Sequence, residues 1–600
     1  MDAFPVFYIC RMKRRISRET LMIWGLVLLF GIMMSLPFLL PHCSWTALVG
    51  FVPLLCAERL LTLTGRKHVW LYLYSAFVLW NAMTTFWVCN ATVGGGIAAI
   101  LLNSLQMLAV FLLFRGSRKV FGGVLQYLFL AFTWIAWEKA YFGWDISWPW
   151  LTLGNAFART PALVQWYDVT GPLGGSLWVW ACNLGVFGLL VALSDGEWFG
   201  VRCADGRWKG FSPKARIAYS VGLAVLFAGP SVWSLCKWYA PSEEPPQTLD
   251  VLVAQPNIDP YHKFEALTQR QQNELLTELI KPALEEYGRK TAEDPLAETL
   301  PSDADDPAVS GYGRASLPGL LILAPETFTS DVTTNDLSAS PTLNSFKSLL
   351  SDYPGVNMLL GASAYTRIGS EERPSLTSRE ICPGLWYESH NSALMIDGTG
   401  RNEIFHKTKL VVAVEKLPYP VVFDPIDRAL GGVMGRCVGQ DEISLLNFRA
   451  ADPEGRMLEV PLGCAVCYES VYGDYCRGYI LKGAEALTII TNDAWWGDTP
   501  GYRQHLSYAS LRAIETRRWI ARCGNTGISA LIDSRGRTVE EGPWWKPATL
   551  HFQLPLSDEV TFFVRYGDIA GRVCTFSFLL LLAALLVKLC TGALQKRKTR

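Results

Sequence analysis

Eight stretches of this chain are long, apolar and almost free of charge, and that constrains its fold more than any other feature. A helix must carry about 20 consecutive apolar residues to cross a bilayer's hydrocarbon core. Runs of this kind cover residues 21–40, 46–63, 70–89, 95–114, 120–137, 176–194, 217–238 and 573–589. Several begin or end on Trp, the residue expected at headgroup level. Half of the 600 residues are hydrophobic and only 18% are charged, a balance outside that of soluble proteins. A formal net charge of zero points to no polyanion, so no nucleic-acid partner is expected. The 15 cysteines follow no repeating spacing and do not read as a disulfide framework. The basic residues 1–18 lead into a run without a small-residue cleavage site, which reads as a first span and not a cleaved signal.

The loops orient the spans. Arg11, Lys13, Arg14, Arg15 and Arg18 precede the first run, Arg66 and Lys67 follow the second, and Arg115, Arg118 and Lys119 follow the fourth. Arg202, Arg207, Lys209, Lys214 and Arg216 lie between the sixth and seventh, and Lys596, Arg597, Lys598 and Arg600 end the chain. The loops near Cys43 and Asn90 carry no Lys or Arg. With eight spans all the strongly basic loops share one side, so that side and both termini are expected in the cytoplasm. Residues 1–238 then form a seven-span membrane domain. Residues 239–569 form an extracytoplasmic domain, and 570–600 a last span with a basic tail.

The outward stretch alternates short apolar runs with polar helical ones. Residues 249–255, 320–324, 357–364, 392–396, 460–467, 486–491 and 528–532 read as strands, and 269–286 and 504–522 as helices. That alternation predicts an α/β domain. Residues 285–316 are acidic and Pro-bearing and read as a surface insertion; 369–383 reads as a second loop.

Three residues sit at or just beyond predicted strands, where catalytic groups collect. Glu326 follows the strand in LILAPETF. Beside an apolar sheet its carboxylate suits a general base, although alone it is equally a solvated turn glutamate. Lys407 follows the hairpin MIDGTGRNEIF. It could stabilise an oxyanion, with Glu415 eight residues on to pair with it, or be a surface lysine. Cys467 closes the strand in EVPLGCAVCYESVYGD, followed by Tyr468 and Glu469. It suits a thiol nucleophile, but it could equally be an inert buried cysteine or half of a C-x-x-C pair with Cys464. No second pair or His pair completes a zinc site, so no metal or cofactor is expected. A fourth segment, TNDAWWGD, places Trp495 and Trp496 after another strand, suited to contact with lipid.

The ordered set Glu326, Lys407, Cys467 and N-D-A-W resembles the nitrilase superfamily. With the flanking spans, TTFWV at 84–88, WPWLTLGN at 148–155 and VAQPNI at 253–258, the chain resembles the apolipoprotein N-acyltransferase family over nearly its whole length. The resemblance implies an α-β-β-α sandwich joined to a multi-span helical membrane domain. It assigns Glu326 as general base, Lys407 as oxyanion cation and Cys467 as nucleophile, with Glu415, Tyr468, Glu469 and Trp495 in support. It implies a phospholipid acyl donor, a diacylglyceryl-cysteine lipoprotein acceptor and a thioester intermediate. A monomer in the bacterial inner membrane, its catalytic domain in the periplasm, is the corresponding expectation. The family's Leu-Val-Pro-Phe-Gly-Glu reads LVVAVE here, with Val412, Ala413 and Val414 in its middle. A membrane-tethered amidase acting on a small amide, and a transporter with a structural outer domain, are the alternatives.

Overall fold

The computed structural model describes residues 17–194, 197–199, 201–202, 212–241, 247–261, 263, 266–293, 315–429, 431–452 and 454–598. All eight apolar runs are helical: Arg18–Leu39, Val52–Leu63, Val69–Thr85, Val93–Ser117, Gly123–Tyr141, Tyr167–Leu193, Pro213–Tyr239 and Ile569–Lys598. Six helical stretches among the described residues are long and apolar enough to cross a membrane. The other two helices fall short for visible reasons. Val69–Thr85 has 17 residues, and Gly123–Tyr141 ends in a turn carrying Glu138 and Lys139.

The helices pack around an aromatic core rather than a polar channel. Phe51 lies 4.6 Å from Trp180 and 5.2 Å from Trp134, ring centre to ring centre, and Phe30, Phe77, Trp80 and Phe111 close around them. Edge-to-face rings bury large areas at favourable quadrupole geometry. Some of the polar groups inside are bonded across helices, although the Trp80 and Trp180 indole N–H groups are not. The Asn183 side chain accepts from the Phe51 N–H at 2.7 Å and donates to the Ala47 carbonyl at 2.8 Å. Buried Glu58 pairs with Arg118 at 2.5 Å and also with Arg115, so the C-terminal end of the helix Val93–Ser117 is tied to the helix Val52–Leu63.

The stretch between the last two long helices is a sandwich of two sheets. The first has strands β1 (Gln247–Gln255), β2 (Leu320–Leu323), β3 (Val356–Gly369), β4 (Leu385–Asp397) and β5 (Asn402–His406). The second has β6 (Leu446–Ala451), β7 (Met457–Val466), β8 (Ala486–Thr491), β9 (Ile520–Gly524), β10 (Ala530–Ile532) and β11 (Thr538–Glu541). β12 (Ala548–Pro555) returns to pair with β1, giving the orders β5-β4-β3-β2-β1-β12 and β6-β7-β8-β9-β10-β11. Alternation along β1 explains the layers. Leu249, Val251 and Val253 face the second sheet, while Leu252 and Ala254 face the helices Gln269–Glu293 and Pro341–Leu350. The helices Gly473–Leu481 and Pro500–Thr516 cover the second sheet, completing an α-β-β-α sandwich.

Three expectations need correction. The helix read over 504–522 is Pro500–Thr516; it stops at Arg517, which is left-handed at φ 50°, and the chain re-enters the sheet as β9. The loop expected from 285 begins later, because the helix runs to Glu293; residues 294–314 lie outside the described residues. The loop at 369–383 contains a short strand, Arg379–Cys382, paired with β4. Arg11, Lys13, Arg14, Arg15, Arg207, Lys209 and Arg600 also lie outside the described residues.

The sandwich is bonded to the helices below it. Trp150 donates its indole N–H to Gln504 at 2.7 Å, Arg517 pairs with Asp168 at 2.8 Å, and Lys139 pairs with Asp568 at 3.2 Å.

Candidate active site

Glu326, Lys407, Glu415 and Cys467 are spread along the sequence from 326 to 467 and line one cavity of about 400 Å³. Its walls come from both halves of the chain. Trp87, Val88, Trp148 and Trp150 rise from the helical region, and Tyr468, Trp495 and Trp496 come from the sandwich. Trp496 packs 4.6 Å from Trp87, while Trp495 stays 41% exposed, so the tryptophan pair is split between wall and rim.

Glu326 stands three residues beyond β2, in a turn whose next residue, Thr327, has a φ of 49°. One oxygen accepts from Lys407 Nζ at 3.0 Å and from Asn391 Nδ2 at 2.7 Å; the other accepts from the Asn492 N–H at 3.1 Å. β3 passes so closely beneath that a Cβ on Gly361 would lie 2.5 Å from Glu326 Cα. Glycine is therefore required at 361 by approach and not by its own dihedral.

Lys407 follows β5 directly and is fully buried. Its ammonium bonds Glu326 and, at 2.9 Å, Glu415. Burial opposes the charge, but the two carboxylates outweigh it and hold Lys407 cationic well above the ordinary lysine range. Glu415 is anchored in turn by Asn391 Nδ2 at 2.6 Å and the Val411 N–H at 2.7 Å. The divergent segment 412–414 keeps this geometry, with Ala413 at φ 65° and its N–H bonded to the Lys416 carbonyl.

Cys467 begins a tight turn immediately after β7, at φ 52°. Such a dihedral is costly for a non-glycine residue, and it lifts the thiol out of the sheet into the cavity. Burial pushes the thiol well above its ordinary pKa, Glu326 adds to this, and Lys407 opposes it. The resting sulfur is thus a thiol that needs a base. Cys464 differs: it lies within β7 in the core, its thiol pushed up to about 12 by burial. The described cysteines are all free, Cys382 and Cys437 included.

Two buried networks hold the turn. Glu469 accepts from the Thr408 and Lys409 N–H groups at 2.7 and 3.1 Å and from the Val466 N–H at 2.9 Å. His505 places Nε2 3.0 Å from the Cys467 carbonyl and Nδ1 2.9 Å from Asp493, which Arg522 pairs with at 2.5 Å. Burial would raise the Asp493 carboxyl, but His505 and Arg522 bring it down to about 2. Cys467, Asp493 and His505 place three ligand-type atoms within 4.8 Å of one another. Both imidazole nitrogens and the carboxylate are engaged in the hydrogen bonds just described, so the group is built as a brace and fits a metal poorly.

Sequence reasoning missed Asn391, His505 and Lys263. Lys263 lines the cavity, bonds the Thr327 carbonyl, and is pushed down to about 8 by burial, with Glu326 opposing. Asn391 lies within a strand, where period-2 patterning reads only its face.

Residues 30–185 match the family described as apolipoprotein N-acyltransferase N-terminal domain, and residues 368–561 match carbon-nitrogen hydrolase. An apolipoprotein N-acyltransferase of Chlorobaculum tepidum is 27% identical over 546 residues, 89% of this chain and 90% of its own. The chain is thus similar to apolipoprotein N-acyltransferases over most of its length. Its namesake in Geobacter metallireducens is 23% identical over 92% of both chains. Among solved structures, Nit3 of Saccharomyces cerevisiae, of the nitrilase superfamily, aligns at 12% identity and a TM-score of 0.32, covering 53% of this chain and 93% of that one. These similarities support an acyltransferase of the nitrilase superfamily built on multiple membrane helices.

Proposed function

We propose that the protein moves an acyl chain from a phospholipid to the N-terminal amine of a diacylglyceryl-cysteine lipoprotein, through a thioester on Cys467. The observation that carries this reading is the composition of the cavity. A buried Glu-Lys pair and a thiol share a space walled by Trp87, Trp148 and Trp150 of the membrane-helix half. A soluble amide needs no such wall, whereas lipid substrates reach it by lateral diffusion.

In the first half-reaction Glu326 takes the thiol proton as sulfur attacks the ester carbonyl carbon. Lys407 and the Tyr468 backbone N–H carry the charge developing on the carbonyl oxygen. The tetrahedral adduct collapses, the C–O bond breaks, and the departing lysophospholipid oxygen takes the proton from Glu326. In the second, the lipoprotein's neutral amine attacks the thioester, Glu326 receives the amine proton, the C–S bond breaks, and the proton returns to sulfur. Glu415 keeps Lys407 placed between the carboxylates. Glu469 and His505 hold the turn, and Trp495 guards the rim.

The basic-loop asymmetry supports a seven-span domain over 1–238, a periplasmic catalytic domain over 239–569 and a last span over 570–600. Single cysteines at Lys67 and Glu372, probed with an impermeant thiol reagent in intact cells, test the orientation: only position 372 should label. The activity is tested by supplying purified protein with phospholipid and a diacylated lipopeptide. Triacylated lipopeptide and lysophospholipid should appear together.

A further inference from the structure

A second cavity, of about 470 Å³, opens where the sandwich meets the ends of two membrane helices, away from the catalytic residues. Its lining includes Arg159, Arg503, Arg537 and His42, with exposed Glu541 as the sole acidic residue among them. Their charges are poorly matched. Arg159 spends one N–H on the Leu39 carbonyl at 2.6 Å, and among the described residues no carboxylate lies within 4.0 Å of it. Arg503 reaches Asp498 only at 3.8 Å and is 54% exposed; Arg537 reaches Asp533 only at 3.9 Å. Arg503 lies near enough to Arg159 to add to the depression that burial imposes on the Arg159 guanidinium. Like charges gathered over an open cavity mark a place where an anion lowers the energy.

The position narrows the anion. Leu39 ends the helix Arg18–Leu39, and Trp238 lies at the end of Pro213–Tyr239. Arg537 stacks 4.2 Å over the Trp238 ring and donates to its carbonyl at 2.6 Å. Helix ends and an interfacial Trp set the headgroup level of a bilayer, where the abundant anion is a phosphodiester. Arginine matches phosphate oxygens in forked pairs.

We infer that this arginine-lined cavity is a binding site for the phosphate of an anionic glycerophospholipid, separate from the catalytic cavity. The three guanidiniums face the phosphate, and the lipid's chains lie along the adjoining membrane helices. The site does not depend on the reaction proposed for Cys467.

The test uses full-length protein reconstituted in phosphatidylcholine bilayers doped with phosphatidylglycerol. Native mass spectrometry counts the phosphatidylglycerol molecules that stay bound. Wild type should keep one more than R503Q or R503E, variants of an exposed side chain that leave folding intact. R159Q should lose the same molecule, with unchanged thermal unfolding of R503Q guarding against a merely misfolded R159Q. Losing one charge-assisted contact predicts about tenfold weaker retention. Arg456→Gln, an exposed control far from the cavity, should retain it. Millimolar inorganic phosphate should displace the extra lipid. Equal retention by wild type and R503E overturns the site. Phosphate binding that R503E abolishes, with no lipid retained by wild type, overturns the lipid as its occupant.

Discussion

The Glu469 carboxylate lies 2.7 Å from the Thr408 N–H, and this bond ties the loop that carries Lys407 to the turn that carries Cys467. The same carboxylate holds the Val466 N–H from its other oxygen, so one buried side chain sets the spacing of cation and thiol.

Glu469→Gln tests this link. Three backbone N–H groups converge on Glu469, and an amide offers one oxygen to them. A buried N–H left unmatched costs about 1–3 kcal/mol. A slip of about 1 Å in a reacting group can cost roughly 100-fold in rate. Acyl loading of Cys467 should therefore fall by about that factor while the protein stays folded. Burial pushes Glu469 up to about 7, opposed by the N–H bonds of Val466 and Lys409. With a folded pKa raised above its ordinary 4.5, its contribution is fully present below 4.5 and is lost as pH rises through 7. Denaturant unfolding of the Gln variant should lose that component. An unchanged rate would remove Glu469 from positioning.

Lys407→Met leaves Glu326 and Glu415 both leaning on Asn391 without their cation. Removing one partner from a buried ionic cluster costs about 3–5 kcal/mol. Activity should fall roughly 100- to 1,000-fold, as for loss of one oxyanion donor. The double variant Lys407→Met with Glu415→Gln should regain much of the stability and none of the activity. If activity returned with stability, the role of Lys407 would be structural alone.

Much of this site was legible in the sequence because its three key groups follow strand ends. β2, β5 and β7 each read as a buried run or hairpin, and the polar residue just past each run stood out. What was hidden depends on tertiary contact. Arg522 reads as the end of a helix, since IARCG has one β-branched residue and follows a polar helical stretch. Its place in β9 is decided by pairing with β8 and by Asp493. Asn391 and His505 sit inside regular elements, where spacing says nothing about what lies across the cavity. The membrane helices were legible for the opposite reason: a bilayer demands a long uniform run, which needs no partner to be seen.

Gly361→Ala should abolish acyl loading without removing any polar group. The added methyl would sit 2.5 Å from Glu326 Cα and 2.6 Å from the Pro325 carbonyl, both backbone. The Glu326 turn must move to admit it. The unreacted thiol should still alkylate with iodoacetamide, which reports access to Cys467 separately from its activation. Wild-type loading in the Ala variant would show that the turn tolerates displacement.

His406 gives the acid side of the stability profile. It stacks 4.2 Å from His390 and bonds Ser392 at 2.7 Å, and its main-chain N–H donates to Gln440. Burial and then the charge of His390 push it from 6.5 down to about 4. A depressed folded pKa gives stability that is present above 6.5 and lost as pH falls through 4. Glu469 has the opposite slope over part of this range, so the comparison must be a difference. Subtracting His406→Gln from wild type should leave a component that declines from pH 6.5 to 4. A flat difference would mean that the ring charges without cost.

The thioester is the sharpest test of the proposed chemistry. A two-step transfer pauses at the acyl-enzyme when no amine is supplied, provided water is kept out. The wall of Trp87, Trp148 and Trp150 motivates that proviso, because it lays apolar rings along one side of the cavity. Protein incubated with phospholipid alone should gain the mass of one acyl chain and release lysophospholipid in a stoichiometric burst. Peptide mapping should place the chain on Cys467 and not on Cys464, which lies in the sheet core three residues earlier. Neutral hydroxylamine should remove it, as for a thioester. A diacylated lipopeptide with a free N-terminal amine should discharge it, and an N-blocked one should not. Glu326→Gln should load slowly, because the thiol it leaves is held protonated by burial. Raising the pH should then restore loading in part, by supplying thiolate without the base. Turnover by Cys467→Ala at the wild-type rate would end the covalent mechanism.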